Sequence, residues 1–380
     1  MSLRRLSDLA VYCMGDLVIQ SNEYFYLLIR APTTVNYLSL RYEYYFQHDF
    51  EDFMKVFIQC LIVPLSHGEK HVSIERTLDF AAKFCVSFVP DMEENEDDET
   101  SDPLLNGMFQ FLFKSHRSAS ETVRFRVCQF ANRLLASMPP NAGLDTNTWD
   151  QLHSCMSERL KDKKTSIRAQ AVMALQRLQD PSDENCSVIQ ALKFHLSKDP
   201  SAEVRQAVLS IIAATNSTVM DVVFRTRDVS ETVRRHAYAF LAEKVDVRVL
   251  SIHHRERILK AGLNDRSESV SSFVRKVLLS NWLKSCDDDI LKLLASFDVV
   301  NWTDAEFLET VLKCFFNKFE IDDLLTCLEL NEETKTVPLD NLSPERALFW
   351  RYMAQYLDHI DNEKIEKVLP NLSPMCEYIR

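Results

Sequence analysis

The sequence predicts an all-α solenoid of stacked antiparallel helix pairs. Three observations lead there: a near-absence of glycine, an Asp-then-Arg pattern that recurs along the chain, and apolar residues spaced three and four apart after each Arg. Only 5 glycines occur in 380 residues, against about 27 at the usual ~7%. Glycine supplies the left-handed turns of hairpins and the close backbone approach of nucleotide loops. A chain this poor in it is excluded as a β-sandwich, a doubly wound α/β domain or a P-loop enzyme. A hydrophobic content of 46% with 26% charged residues is enough for a packed core and excludes global disorder.

Residues 1–46 carry six tyrosines between Tyr24 and Phe46 and no clear period; they form a divergent segment with no assigned place. Residues 47–90 read as an N-terminal helical repeat. Residues 91–103 hold Asp91, Glu93, Glu94, Glu96, Asp97, Asp98, Glu99 and Asp102 without apolar periodicity, which reads as a disordered, solvated loop. The alternative for this run is a regulatory one, in which it competes with DNA for a basic surface.

Residues 104–286 carry the repeat. Asp162 precedes Arg168 by six residues, Asp199 precedes Arg205 and Asp228 precedes Arg234 by the same step, and Asp265 precedes Ser271. Ser118 through Val123-Arg124 is a fifth, upstream copy. After each opening residue the apolar positions fall on one helical face, as with Ile167, Val172, Leu175 and Leu178. The Asp lies in the turn just before, where it can cap free N–H groups. A second helix fills the space ahead of each Asp, from Trp149 to Leu160 and from Cys186 to Leu196. Two helices per roughly 37–40 residues, with Asp in the turn and Arg early in the second helix, is the HEAT-repeat pattern. Such units bury their apolar faces only by stacking. The Asp199–Asp228 step of 29 predicts a compressed repeat.

Residues 287–380 continue as further helical repeats over Ile290–Phe297, Ala305–Phe316 and Asp322–Leu330. Ser343-Pro344 and Ser373-Pro374 read as helix starts, Ser at the N-cap and Pro at the first helical position. Both are also minimal proline-directed phosphorylation sites, and the two readings are compatible.

The chain holds ten cysteines and no CxxC, which suits reduced core thiols. No stretch reads as a membrane span, and Asp8 and Asp16 interrupt any signal-like apolar run. HExxH, GxSxG, Walker A and dinucleotide fingerprints are absent. No enzyme activity, metal, cofactor or small-molecule substrate is expected.

Charge is uneven. The chain total is −12, but residues 111–286 carry 27 basic and 18 acidic groups. Nucleic acid responds to that local field rather than to the total. Arg124, Arg168, Arg205 and Arg234 are assigned to a structural ladder with Asp162, Asp199, Asp228 and Asp265, because charge-assisted Arg–Asp pairs order such stacks. The candidates for DNA are the surplus cations: Arg126, Lys161, Lys163, Lys164, Arg225, Arg227, Arg235, Lys244, Arg248, Arg255 and Arg257. Residues at matching positions of stacked repeats line one face, and a basic ridge there would neutralise phosphates by counterion release. The alternative is a solvated face on a protein-binding scaffold or transport adaptor.

Several strings are more selective than the repeat. Val123-Arg124-Phe125-Arg126-Val127-Cys128, Arg177-Leu178-Gln179-Asp180-Pro181, Glu203-Val204-Arg205-Gln206-Ala207-Val208, Gly262-Leu263-Asn264-Asp265-Arg266 and Ser343-Pro344-Glu345-Arg346-Ala347-Leu348-Phe349-Trp350 resemble the G-subunit family of condensin. The resemblance runs over residues 47–380. Family members are much longer, so an N-terminal portion is expected. His67-Gly68-Glu69-Lys70-His71 keeps one Lys where the family has a short basic stretch. The resemblance implies a non-catalytic HEAT subunit that binds the kleisin subunit and reaches the SMC ATPase subunits through it. With kleisin it would form a basic groove holding double-stranded DNA without reading sequence, in mitotic chromosome condensation. It also implies a nuclear and cytoplasmic location, on condensed chromosomes in mitosis.

Overall fold

The computed structural model describes residues 50–68, 71–88, 102–140, 142–301, 305–360 and 363–379. The segment 1–46 and the acidic run up to residue 101 lie outside them. All regular elements among the described residues are helices. The described residues form two compact units, divided between Ala213 and Ala214, each described by itself. The division falls inside the 104–286 span.

Unit 1 contains α1 (Phe50–Ser66), α2 (Val72–Val86), α3 (Pro103–Ser115), α4 (Glu121–Ser137), α5 (Thr146–Arg159), α6 (Thr165–Ala174), α7 (Ser187–Lys198) and α8 (Ala202–Ile211). Successive pairs stack as two layers. Helices α2, α4, α6 and α8 pack on one another in order, and α1, α3, α5 and α7 form the second layer. This is the HEAT-repeat solenoid architecture. Its core is Leu78, Leu104, Met108, Phe109, Phe130, Leu134, Val172, Leu192 and Val208, all essentially solvent-free. Asp102 caps α3 at the end of the acidic run, accepting from the N–H groups of Leu104 and Leu105.

Unit 2 opens with α9 (Asn216–Arg225) and α10 (Glu231–Lys244). The compressed step is absorbed by α9, which has 10 residues against 14 in α5. Then come α11 (Ile252–Leu263), α12 (Glu268–Phe273) and α13 (Leu279–Ser285). A π-helical stretch, Val274–Leu278, joins α12 to α13 and packs on α10 and α11. It inserts a wider turn into the helix. The remaining helices are α14 (Ile290–Ala295), α15 (Ala305–Phe316), α16 (Ile321–Thr326), α17 (Pro344–His359), α18 (Ile365–Val368) and α19 (Leu372–Ile379).

Ser343 caps α17 by accepting from the Arg346 N–H at 3.2 Å, with Pro344 at the first helical position. Ser373 corrects its sequence reading. Helix α19 begins at Leu372, and the Met375 N–H donates to the Asn371 carbonyl. Ser373 therefore sits inside the first turn rather than at the cap.

Gly262 shows what close packing demands of α11. A Cβ there would lie 2.8 Å from Val274 Cγ2 and 2.9 Å from both Cζ and Oη of Tyr238. Tyr238 is fixed, because its hydroxyl donates to the Ile258 carbonyl in the core. Overpacking there costs about 1–3 kcal/mol against the ~1 kcal/mol that Ala gains in helix propensity, so Gly262→Ala is expected to destabilise unit 2 by up to about 2 kcal/mol in urea unfolding. Gly107→Ala is the contrast. The three atoms nearest its Cβ all belong to the flexible Met54 side chain, Cε at 2.8 Å, so the variant should melt close to the parent.

Candidate nucleic-acid interface

Arg124, Arg168 and Arg234 each meet the Asp side chain of the following repeat, not that of their own turn. Arg124 Nε donates to Asp162 Oδ2 at 2.8 Å, and Arg168 forks onto Asp199 with two bonds of 2.9 Å. In unit 2, Arg234 forks onto Asp265 at 2.7 and 2.8 Å. Each arginine also holds its own turn. Arg168 Nη1 donates to the Asp162 carbonyl, Arg205 Nη1 to that of Asp199 and Arg234 Nη1 to that of Asp228. Each Asp in turn caps the chain two residues on, accepting from the N–H of Lys164, Ser201, Ser230 or Ser267. Ser271, which stands where the fourth Arg would be, bonds locally to Glu268.

These partners set the carboxylates' protonation. Burial alone would raise Asp265, but the Arg234 hydrogen bond, the Ser267 N–H and the Arg234 and Arg266 charges outweigh it and hold the carboxyl below its ordinary range. Asp162 and Asp199 are held down in the same way, by Arg124 and by Arg168 with His195. A depressed folded pKa contributes stability that is present above the unfolded value, about 3.9, and is lost as pH falls through the folded one. Urea midpoints should therefore hold from neutral pH to about pH 5 and drop below about pH 4. The drop should be smaller in Asp265→Asn, whose midpoint starts lower.

The ladder fixes where neighbouring cations emerge. Lys161, Lys198 and Arg227 each stand immediately before a ladder Asp, and all three are exposed. Lys163 and Lys164 are exposed on the same unit 1 turn, with Lys164 also reaching Glu121 at 3.0 Å. In unit 2, Arg266 is exposed and donates to the Val229 carbonyl at 3.0 Å, which places it on the turn edge with Arg227. Lys198 was not among the candidates. The signal was a basic residue directly flanking the repeat Asp, which a count of charge over a window dilutes.

Two candidates are corrected. Arg126 is only 1% exposed. It lies two residues beyond Arg124 on α4 and so turns to the other side, toward α2. There it donates to the His67 carbonyl, to Glu75 Oε1 at 2.6 Å and to Gln129, and Arg133 shares the same Glu75. Arg255 is also buried, donating to the carbonyls of Val247, Arg248 and Ser296. These partners of both guanidinium groups lie inside the protein.

The other candidates do not form one ridge. Arg225 is part-buried and leans on Asp228 at 3.3 Å. Arg235 is exposed with its guanidinium over Phe273, and Arg257 lies over Phe224. Lys244, the last residue of α10, and Arg248 just past it are exposed, roughly 20 Å from Arg227 along the helix axis at 1.5 Å per residue. Arg248 there forks onto Asp246.

No family model matches the chain. Condensin complex subunit 3 of Homo sapiens is 41% identical over 331 residues, 86% of this chain and 32% of that protein. Its Xenopus laevis counterpart is 39% identical over 346 residues, 90% of this chain and 33% of that protein. The chain belongs to the condensin subunit 3 family. It spans about a third of the length of these curated relatives. Among solved structures, the S. pombe condensin Cnd3–Cnd2 subcomplex matches with a TM-score of 0.72 and 28% identity, over 91% of this chain and 42% of that one. The family and the fold expected from the selective strings are those found.

A cavity of about 270 Å³ in unit 2 is lined by Arg248, Arg255, Cys286, Asp287, Lys292 and Ser296. Its cations are committed, Arg248 to Asp246 and Lys292 to Asp287 at 2.9 Å. Cys85, Cys128, Cys155, Cys186 and Cys286 are buried free thiols, and burial pushes Cys128 up to about 12. Among the described residues no three His, Cys, Asp or Glu side chains gather as a metal set, and no helix is long and apolar enough to cross a membrane.

Proposed function

We propose that the chain is part of a non-catalytic condensin subunit that binds the kleisin subunit and, through it, serves the SMC ATPase subunits. Its turn edges hold double-stranded DNA without reading sequence, for mitotic chromosome condensation. The protein would then work in the nucleus and cytoplasm and on condensed chromosomes. The observation that carries the DNA reading is the position of Lys161, Lys198 and Arg227. Each stands exposed beside a ladder Asp, so the fold repeats a cation at a fixed place on a turn edge. Flexible cations of this kind contact phosphates and carry no base information. The kleisin reading is carried by family membership and by the likeness to the Cnd3–Cnd2 subcomplex.

The test is fluorescence anisotropy of a labelled ~30-bp duplex titrated with the full chain, with and without the matching kleisin segment, at several salt concentrations. The expected result is sequence-tolerant binding whose log–log salt slope is several units, at roughly 0.9 per phosphate neutralised. It should strengthen with kleisin. No binding at low salt with kleisin present would leave a protein-binding scaffold with a solvated basic edge.

A further inference from the structure

We propose that Phe224, backed by Arg257, is a base-stacking platform that gives the unit 2 turn edge a site for single-stranded nucleic acid. The proposal rests on the reading of that edge as a phosphate-binding surface and adds a ligand class to it.

Phe224 lies in the last turn of α9 with 51% of its surface open, although most of the large apolar side chains are in the core. The Arg257 guanidinium carbon lies over its ring, 5.9 Å from the centroid. A cation over an aromatic face holds the ring in place by its quadrupole, so Phe224 is exposed but not loose. Arg227 follows three residues on, its N–H donating to the Phe224 carbonyl, and Val229, 84% exposed, bonds to Arg266 through its carbonyl. The patch thus combines a supported aromatic ring, an exposed aliphatic tip and cations on the same turn. Among the described residues neither Arg227 nor Arg257 is paired with a carboxylate.

A duplex uses only the cations, since its bases are stacked on each other. An unpaired strand can use both, laying a base on Phe224 while Arg227 and Arg266 meet its phosphates. Aromatic stacking with a positive track is how sequence-tolerant single-strand sites are built.

The experiment compares three labelled probes on the full chain. They are a 30-nucleotide thymidine strand, a strand of the same length carrying abasic sites, and the 30-bp duplex. The thymidine strand should bind at least several-fold more tightly than the abasic one. Phe224→Ala should weaken the thymidine strand by about tenfold, the scale of one stacked base, and change duplex affinity by less than twofold. Phe224→Trp should keep single-strand binding. Arg227→Gln should weaken both probes alike. An unchanged melting curve for Phe224→Ala controls for folding. Equal binding of thymidine and abasic strands, or single-strand binding indifferent to Phe224, would overturn the platform while leaving duplex binding standing. Failure of all three probes would overturn both readings. Displacement of either strand by an acidic aromatic peptide with Phe224-dependent affinity, but no base dependence, would reassign the patch to protein.

Discussion

Asp265→Ala is expected to lower the stability of unit 2 by about 3–5 kcal/mol, the scale for leaving a buried charge without its partner. Arg234 and Asp265 are 5% and 6% exposed, and the guanidinium is committed to two carboxylate oxygens and two turn carbonyls. Removing the carboxylate strands the cation and also removes the cap on the Ser267 N–H. Urea unfolding of the full chain, followed by circular dichroism, checks it. The double variant Arg234→Met with Asp265→Leu should cost less than the single one, because it leaves no unpaired charge. Asp79→Asn, against the exposed Lys83, should cost under about 1 kcal/mol. A loss below about 1 kcal/mol for Asp265→Ala would mean that the rung behaves as an exposed pair.

The second large effect is on DNA. Replacing Lys161, Lys163 and Lys164 together by Gln is expected to lower duplex affinity on the order of tenfold or more at moderate salt. The log–log salt slope should fall by about 2–3, at roughly 0.9 per lost phosphate contact. Lys164 contributes least, being shared with Glu121. Lys244→Gln with Arg248→Gln should leave the slope nearly unchanged. The reverse result would place the duplex along the far ends of the helices and sink the turn-edge assignment. Arg126→Gln should lower the melting temperature and not the slope, since that side chain is locked on Glu75.

The fold was legible because the same local physics is written several times over. A turn Asp, an Arg six residues later and apolar residues at helical spacing give the layer and its period. The partner of each Arg was not legible. A single period does not say whether Arg168 meets Asp162 or Asp199, and only the stacking distance between repeats selects Asp199. Burial was the other blind spot. Arg124 and Arg126 look alike as charges, yet two residues of helix turn one to the rung and the other into the core. Arg255 was misread for the same reason, its donors consumed by the backbone carbonyls of Val247, Arg248 and Ser296. Ser373 was misplaced because Ser-Pro fits either the cap or the first turn, and the Asn371 carbonyl decides.

The rungs also have a direction in time. In each one the arginine belongs to the earlier repeat and the aspartate to the later, 38 residues on for Arg124–Asp162 and 31 for Arg168–Asp199 and Arg234–Asp265. At about 5–20 residues per second on the ribosome, the aspartate is made roughly 2 to 8 s after its arginine. Each emerging turn therefore meets a guanidinium already held in place by the turn behind it. Growth from the N-terminus adds repeats onto a prepared end, so synthesis and assembly run the same way.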